Sequence, residues 1–179
     1  MRGWLLLSIL VLSILVALAG CGVAEHPESA RTVAAFEVPL YSKADRTEFL
    51  SVLRAAADAY GMHVDATGEN DLERESTVLP LARRTLSAAV WRGANDEKAV
   101  ASAMDGVDHL GRVWLMFSKG EDPGMTMQFR ERALHDIRLH WPDTLPLPIM
   151  PNGAIPLASD LIRTPSGYQV KPSEARRYD

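Results

Sequence analysis

The sequence predicts an α+β fold: a two-layer sandwich with a mainly antiparallel sheet, two helices on one face, and an extended proline-rich C-terminal segment. Three observations predict it. Two helical stripes, near residues 45–60 and 122–140, are separated by short stretches of alternating apolar residues. In their order along the chain these elements fit an antiparallel or mixed sheet with helices packed on one face. Beyond Thr144, closely spaced prolines rule out a further helix. The order β-α-β-β-(undecided)-β-α suggests a ferredoxin-like arrangement by element order alone, with both helices on one side of the sheet.

Val33 to Val38 is the first strand, and Pro39 ends it. Asp45 followed by Glu48 has the spacing of a capping box. The helix it opens carries Phe49, Val52, Leu53, Ala56 and Tyr60 on one stripe, and Gly61 is placed to stop it. In Met62–Ala66 the residues Met62, Val64 and Ala66 face one way, with His63 and Asp65 opposite. Thr85–Trp91 is a further strand, with Leu86, Ala88 and Val90 inward. Residues 95–104 fit either a helix capped by Asn95 or a strand returning through Gly93-Ala94-Asn95, and periodicity leaves both open. Arg112–Ser118 alternates most clearly, with Val113, Leu115 and Phe117 on one face and Trp114 and Met116 on the other. Asp122-Pro123 marks a helix start, and Met125, Phe129, Ala133 and Ile137 form its stripe up to His140. Arg132 and Asp136 form a four-spaced pair on its wet side. In 144–179, Pro146, Pro148, Pro151 and Pro156 enforce an extended path over the domain, and Leu161–Val170 reads as a hairpin turning at Pro165-Ser166-Gly167.

The leader decides location. Arg2 precedes an uncharged, mainly apolar run from Trp4 to Ala19 in which Ser8 and Ser13 are the only polar residues, the charge-then-apolar order of a secretory signal. A spanning helix needs about 20 apolar residues, and this run is shorter. Leu18-Ala19-Gly20-Cys21 resembles the lipobox of bacterial lipoproteins. The resemblance covers the leader only. It implies recognition of Leu18, Ala19 and Gly20 by the lipoprotein signal peptidase, cleavage before Cys21, and acylation of Cys21 through a thioether and at the new amino terminus. Several acyl chains on one residue give stable anchoring where a single chain does not. Gly22, in place of aspartate, implies by the same resemblance the outer rather than the inner membrane, facing the periplasm. The expected organisation is therefore a signal peptide at 1–20, the lipidated cysteine and tether at 21–31, the α+β domain at 32–143 and the tail at 144–179.

Removing 20 leader residues from 179 leaves 159, and losing Arg2 takes the formal charge from −4 to −5. That mildly acidic balance, with both signs interspersed, excludes nucleic acid as a partner. Cys21 is the sole cysteine, so its acylation leaves no thiol for a disulfide or a nucleophile. There is no glycine-rich phosphate loop, no Gly-x-Ser-x-Gly and no His-Glu-x-x-His. Asp65, Thr67, Glu69 and Asp71 have calcium-loop alternation, but Asn70 replaces the turn glycine and Ser76 the closing glutamate. His135 and His140, five apart, fall on different helix faces, which speaks against zinc. No cofactor, metal site or catalytic residue is expected, and His63 beside Asp65 is read as surface.

The expected function is that of an anchored, non-catalytic lipoprotein that binds another protein, for instance an immunity-type inhibitor of an envelope-targeting toxin. An assembly accessory of an envelope or secretion complex is the alternative, and a cell-wall or lipid-acting enzyme the second. The candidate partner surface is Trp91, Trp114 and Met116, since Trp and Met are enriched in binding patches. The competing reading has the tail, through Leu145, Leu147, Ile149 and Met150, folded across Trp91 and Trp114 as a second core.

Overall fold

Strand β1 (Thr32–Pro39) carries β-favouring residues and pairs antiparallel with β5 (His109–Ser118), placing Phe36 opposite Leu115 and Val38 opposite Val113. The computed structural model describes residues 28–66, 86–93, 99–106 and 109–178. After β1 the chain enters helix α1 (Lys43–Asp58), then β2 (His63–Ala66), β3 (Ser87–Trp91), β4 (Ala101–Gly106) and β5. Helix α2 (Pro123–His140) follows, then the short strand β6 (Leu145–Pro146) and the hairpin β7 (Leu161–Thr164) and β8 (Gly167–Val170). The main sheet has the order β2-β3-β4-β5-β1-β6, every pairing antiparallel. Each βαβ half is present, β1-α1-β2 and β5-α2-β6, with β3 and β4 extending the meander between them. The fold is the expected α+β two-layer arrangement.

Both helices lie on one face. Phe49, Leu53, Ala56 and Ala57 of α1 and Phe129, Ala133, Leu134 and Ile137 of α2 join Val38, Val90, Val113, Leu115 and Phe117 in one buried cluster. Aromatic rings line it in edge contact: Phe117 meets Phe36 at 6.4 Å and Phe129 at 5.9 Å, Phe129 meets Tyr60 at 6.3 Å, and Phe49 meets Trp141 at 6.0 Å. Gly61 stops α1 with φ of 64°, a conformation that a side chain would resist. Asp122 caps α2 by accepting from the Met125 N–H, as the Asp-Pro start predicts.

The cap of α1 corrects the sequence reading. Ser42, not Asp45, is the N-cap: its hydroxyl accepts from the Asp45 N–H, and the Asp45 carboxylate accepts in return from the Ser42 N–H. A serine ahead of an acidic residue outcompetes the later Asp-Glu pair because it adds nearly a full helical turn. The undecided stretch also resolves, as residues 101–106 are strand β4 while 94–98 lie outside the described residues. The pairing of β4 between β3 and β5 buries Ala101 and Ala103, small residues that leave room beneath the helices.

One charged group is fixed inside this layer. Asp105 is buried, accepts from the Leu86 N–H at 2.6 Å, and takes both arms of Arg46, at 2.9 and 3.1 Å. The fork geometry ties the first turn of α1 to the end of β4.

Candidate functional site

Because paired strands share side-chain direction, the register assigns a second sheet face running from β2 to β6. It carries His63 and Asp65, then Ser87, Ala89 and Trp91, then Ser102 and Met104. Arg112, Trp114 and Met116 follow on β5, with Ala35 and Glu37 on β1. All three residues of the expected partner surface are therefore on this face, but they are not together in one exposed patch.

The tail covers one half. Pro146 is tolerated in β6 because that strand is the sheet edge, where no outer neighbour needs its missing N–H. Leu145 and Pro146 pair with Glu37 and Phe36, and the Leu147 N–H donates to the Ala35 carbonyl at 2.9 Å. Leu147, Leu161 and Ala35 form a second buried cluster, with Trp114, Met116, Ile149, Ile155, Tyr168 and Val170 packed against it. The tail hairpin approaches closely enough that a Cβ on Gly167, at φ of 138°, would stand 2.8 Å from the Pro146 carbonyl oxygen.

Beneath the hairpin lies a polar group that sequence reasoning missed. Glu37 is buried, and its Oε1 accepts from Arg112 Nη1 at 2.5 Å and from the Tyr168 hydroxyl at 2.6 Å. Arg112 Nη1 also reaches the Tyr168 oxygen at 3.2 Å. Burial and the Glu37 carboxylate push the Tyr168 hydroxyl up to about 12, so it stays a donor across the physiological range. The available signal was Glu37 itself, a charge on the same alternating face as Ala35. Its partner Tyr168 is 131 residues away, beyond any local pattern.

A second polar cluster closes the tail on itself. Asp160 is buried and accepts from the Tyr178 hydroxyl at 2.7 Å, from Arg177 at 2.6 Å and from Ser159 at 3.0 Å. Chiefly the Tyr178 hydrogen bond, with Ser159 and Arg177 adding, holds its carboxyl below the usual range against the opposing effect of burial. A depressed native pKa contributes stability above the unfolded-state value, lost as pH falls through the native one. Acidification below the ordinary carboxylate range is expected to loosen residues 157–178 first. Hydrogen exchange at the Leu157 amide, which donates to Tyr178, and at the Lys171 amide, which donates to the Asp160 carbonyl, should accelerate in wild type. In Asp160→Asn the same exchange should lose its acid dependence. Equal profiles in the two proteins would contradict the assignment.

The other half of the face lies outside the tail cluster. Met104 is 48% exposed and Trp91 is half-buried, with Ala89 and Ser102 between them on the sheet and Ser87 exposed beyond. The indole N–H groups of Trp91 and Trp114 are both enclosed, with no hydrogen-bond acceptor among the described residues. His63 and Asp65 are exposed and not bonded to one another, as expected of surface. On α2, His135 is exposed, while His140 Nδ1 lies 2.8 Å from Glu48. Among the described residues no group of three or more His, Cys, Asp or Glu side chains stands together as a metal site. No described helix is long and apolar enough to cross a membrane.

No family model, curated protein or solved structure matches the chain. The leader, with Leu18, Ala19, Gly20 and Cys21, lies outside the described residues, as do the tether up to Pro27 and the acidic loop containing Glu69 and Asp71.

Proposed function

We propose that this chain is a lipid-anchored, non-catalytic protein of the bacterial envelope that faces the periplasm and binds another protein. The observation that carries the reading is Leu18-Ala19-Gly20-Cys21, a leucine and two small residues set directly before the sole cysteine after an apolar run. Only a thiol forms the thioether that carries a diglyceride, so the cysteine is chemically required at that place. The first described residue, Glu28, follows seven residues later, which suits a domain held close to its lipid.

The surface best suited to a protein partner is the half of the second face that the tail leaves open. Ala89 and Ser102 make a low floor between Trp91 and Met104, and an unbranched thioether side chain adapts to a partner's contour. Under the tail, Trp114 and Met116 pack against the cluster of Ala35, Leu147 and Leu161, which favours placing the partner on the side of Trp91 and Met104.

Cys21→Ser tests the anchoring directly. The variant should incorporate no labelled fatty acid and should leave the membrane fraction, whereas undiminished labelling would exclude Cys21 as the acylated residue. Met104→Glu tests the binding surface. A substitution at so exposed a position should change stability by no more than about 0.5 kcal/mol while abolishing capture of the envelope partner.

A further inference from the structure

We infer that the anchored domain stands end-on: the end of the sheet where β1 begins faces the bilayer, and the end carrying Tyr41 and Leu139 points away from it. The inference rests on the proposed acylation of Cys21. From Cys21 to Glu28 the chain advances seven residues, a reach of about 25 Å when fully extended. Where that tether joins the fold is fixed by four bonds. The Lys119 N–H donates to the Arg31 carbonyl at 2.8 Å, and the Gly120 N–H to the Ser29 carbonyl at 2.9 Å. Lys119 Nζ pairs with Glu28 at 2.9 Å, and Arg31 Nη2 donates to the Pro151 carbonyl at 2.5 Å. The lipid-bearing segment therefore leaves at one corner of the domain and cannot swing to the other end without breaking them.

The register shows what shares that end. Thr32 is opposite Ser118, the Ser118 N–H donates to the Val100 carbonyl, and Trp91 is opposite His63. The turns at 59–62, 92–93, 119–122 and 150–153 thus lie on the bilayer side. The far end holds Leu40–Ser42 after β1, Asp105 on β4, and the last residue of α2, His140, against Glu48 of α1. Among the described residues, Tyr41 at 69% and Leu139 at 70% are the most exposed of the large hydrophobic side chains. The 18 residues of α2 separate the two ends by about 27 Å, as long as the whole tether.

Two charge facts oppose the alternative, a domain lying on its side. The mature chain is formally −5, so anionic lipid repels it on average. The exposed charges of α1, Lys43 and Arg54 against Glu48 and Asp58, cancel rather than form a basic stripe. Standing upright leaves the open half-face of Trp91 and Met104 parallel to the membrane normal, reachable from the side.

The full-length acylated protein in phospholipid vesicles tests this. Cys21 carries the acyl chains, so an introduced cysteine is the only free thiol. Glu121→Cys and Asp143→Cys, both at exposed positions, would each carry a donor fluorophore against acceptor-labelled lipid headgroups. Energy transfer should be higher from position 121 than from position 143. Arg92→Cys and Leu139→Cys repeat the comparison on other elements, should either first variant fold poorly. Equal or reversed transfer in vesicles that carry the protein on flotation would overturn the end-on orientation alone. Failure of the wild-type chain to float with the vesicles would overturn the anchoring reading and this inference together.

Discussion

Phe117→Ala is expected to destabilise the domain by about 3–5 kcal/mol. Phe117 has no exposed surface and meets rings on two other elements, Phe36 of β1 and Phe129 of α2. Its cross-strand neighbours on β1 and β4 are Ala34 and Ala101, too small to fill the space an alanine would leave. At about 2–4 °C per kcal/mol for a domain of this size, the melting temperature should fall by roughly 6–20 °C. Met127→Ala, at a position 46% exposed on α2, should change stability by about 0.5 kcal/mol or less and serves as the control. An unchanged melting temperature for Phe117→Ala would mean that the helix layer does not cover this face.

Deleting residues 144–179 is expected to uncover a second apolar layer rather than remove an appendage. Leu147 and Leu161 are buried against Ala35, Trp114 and Met116, and burying a leucine contributes about 1.5–3 kcal/mol. The truncation also takes the Tyr168 hydroxyl from Glu37, leaving that carboxylate with Arg112 alone. Tryptophan emission should shift to the red as Trp114 meets water, and the shortened protein should self-associate through the bared face. Leu147→Ala offers a milder form of the same test, expected to cost about 2–5 kcal/mol without removing the β6 edge. Blue emission and monomeric behaviour in the truncated protein would place the tail elsewhere.

How much of this was legible in the sequence depends on how far apart the cooperating residues lie. Val113, Leu115 and Phe117 declare their strand face through local alternation, and Asp122-Pro123 declares the start of α2, because strand pleat and helix cap are set within a few residues. The α1 cap was misplaced by three residues because Ser42 and Asp45 compete with Asp45 and Glu48 for one motif, and only the backbone shows which serves. β4 stayed undecided because Ala101 and Ala103 are small and carry little periodicity; its neighbours β3 and β5 decide it. The tail's apolar character foretold that it must be covered, and Ile149 and Trp114 both pack against the cluster of Ala35, Leu147 and Leu161. The reach to Trp91 did not follow, because which strands a strap crosses is a tertiary fact. Glu37, Arg112 and Tyr168 come from three separate segments, and no local pattern links them. Of the candidate partner surface, only Trp91 stays outside the tail cluster, and Met104 joins it through register with Ser87 and Trp114.

The most direct test of the anchoring claim is the mass of the amino-terminal peptide from the membrane-bound protein. The expected peptide begins at Cys21 and carries a diacylglyceryl thioether with a further acyl group on its amino terminus. An unmodified cysteine, or a chain that still begins at Met1, would contradict it.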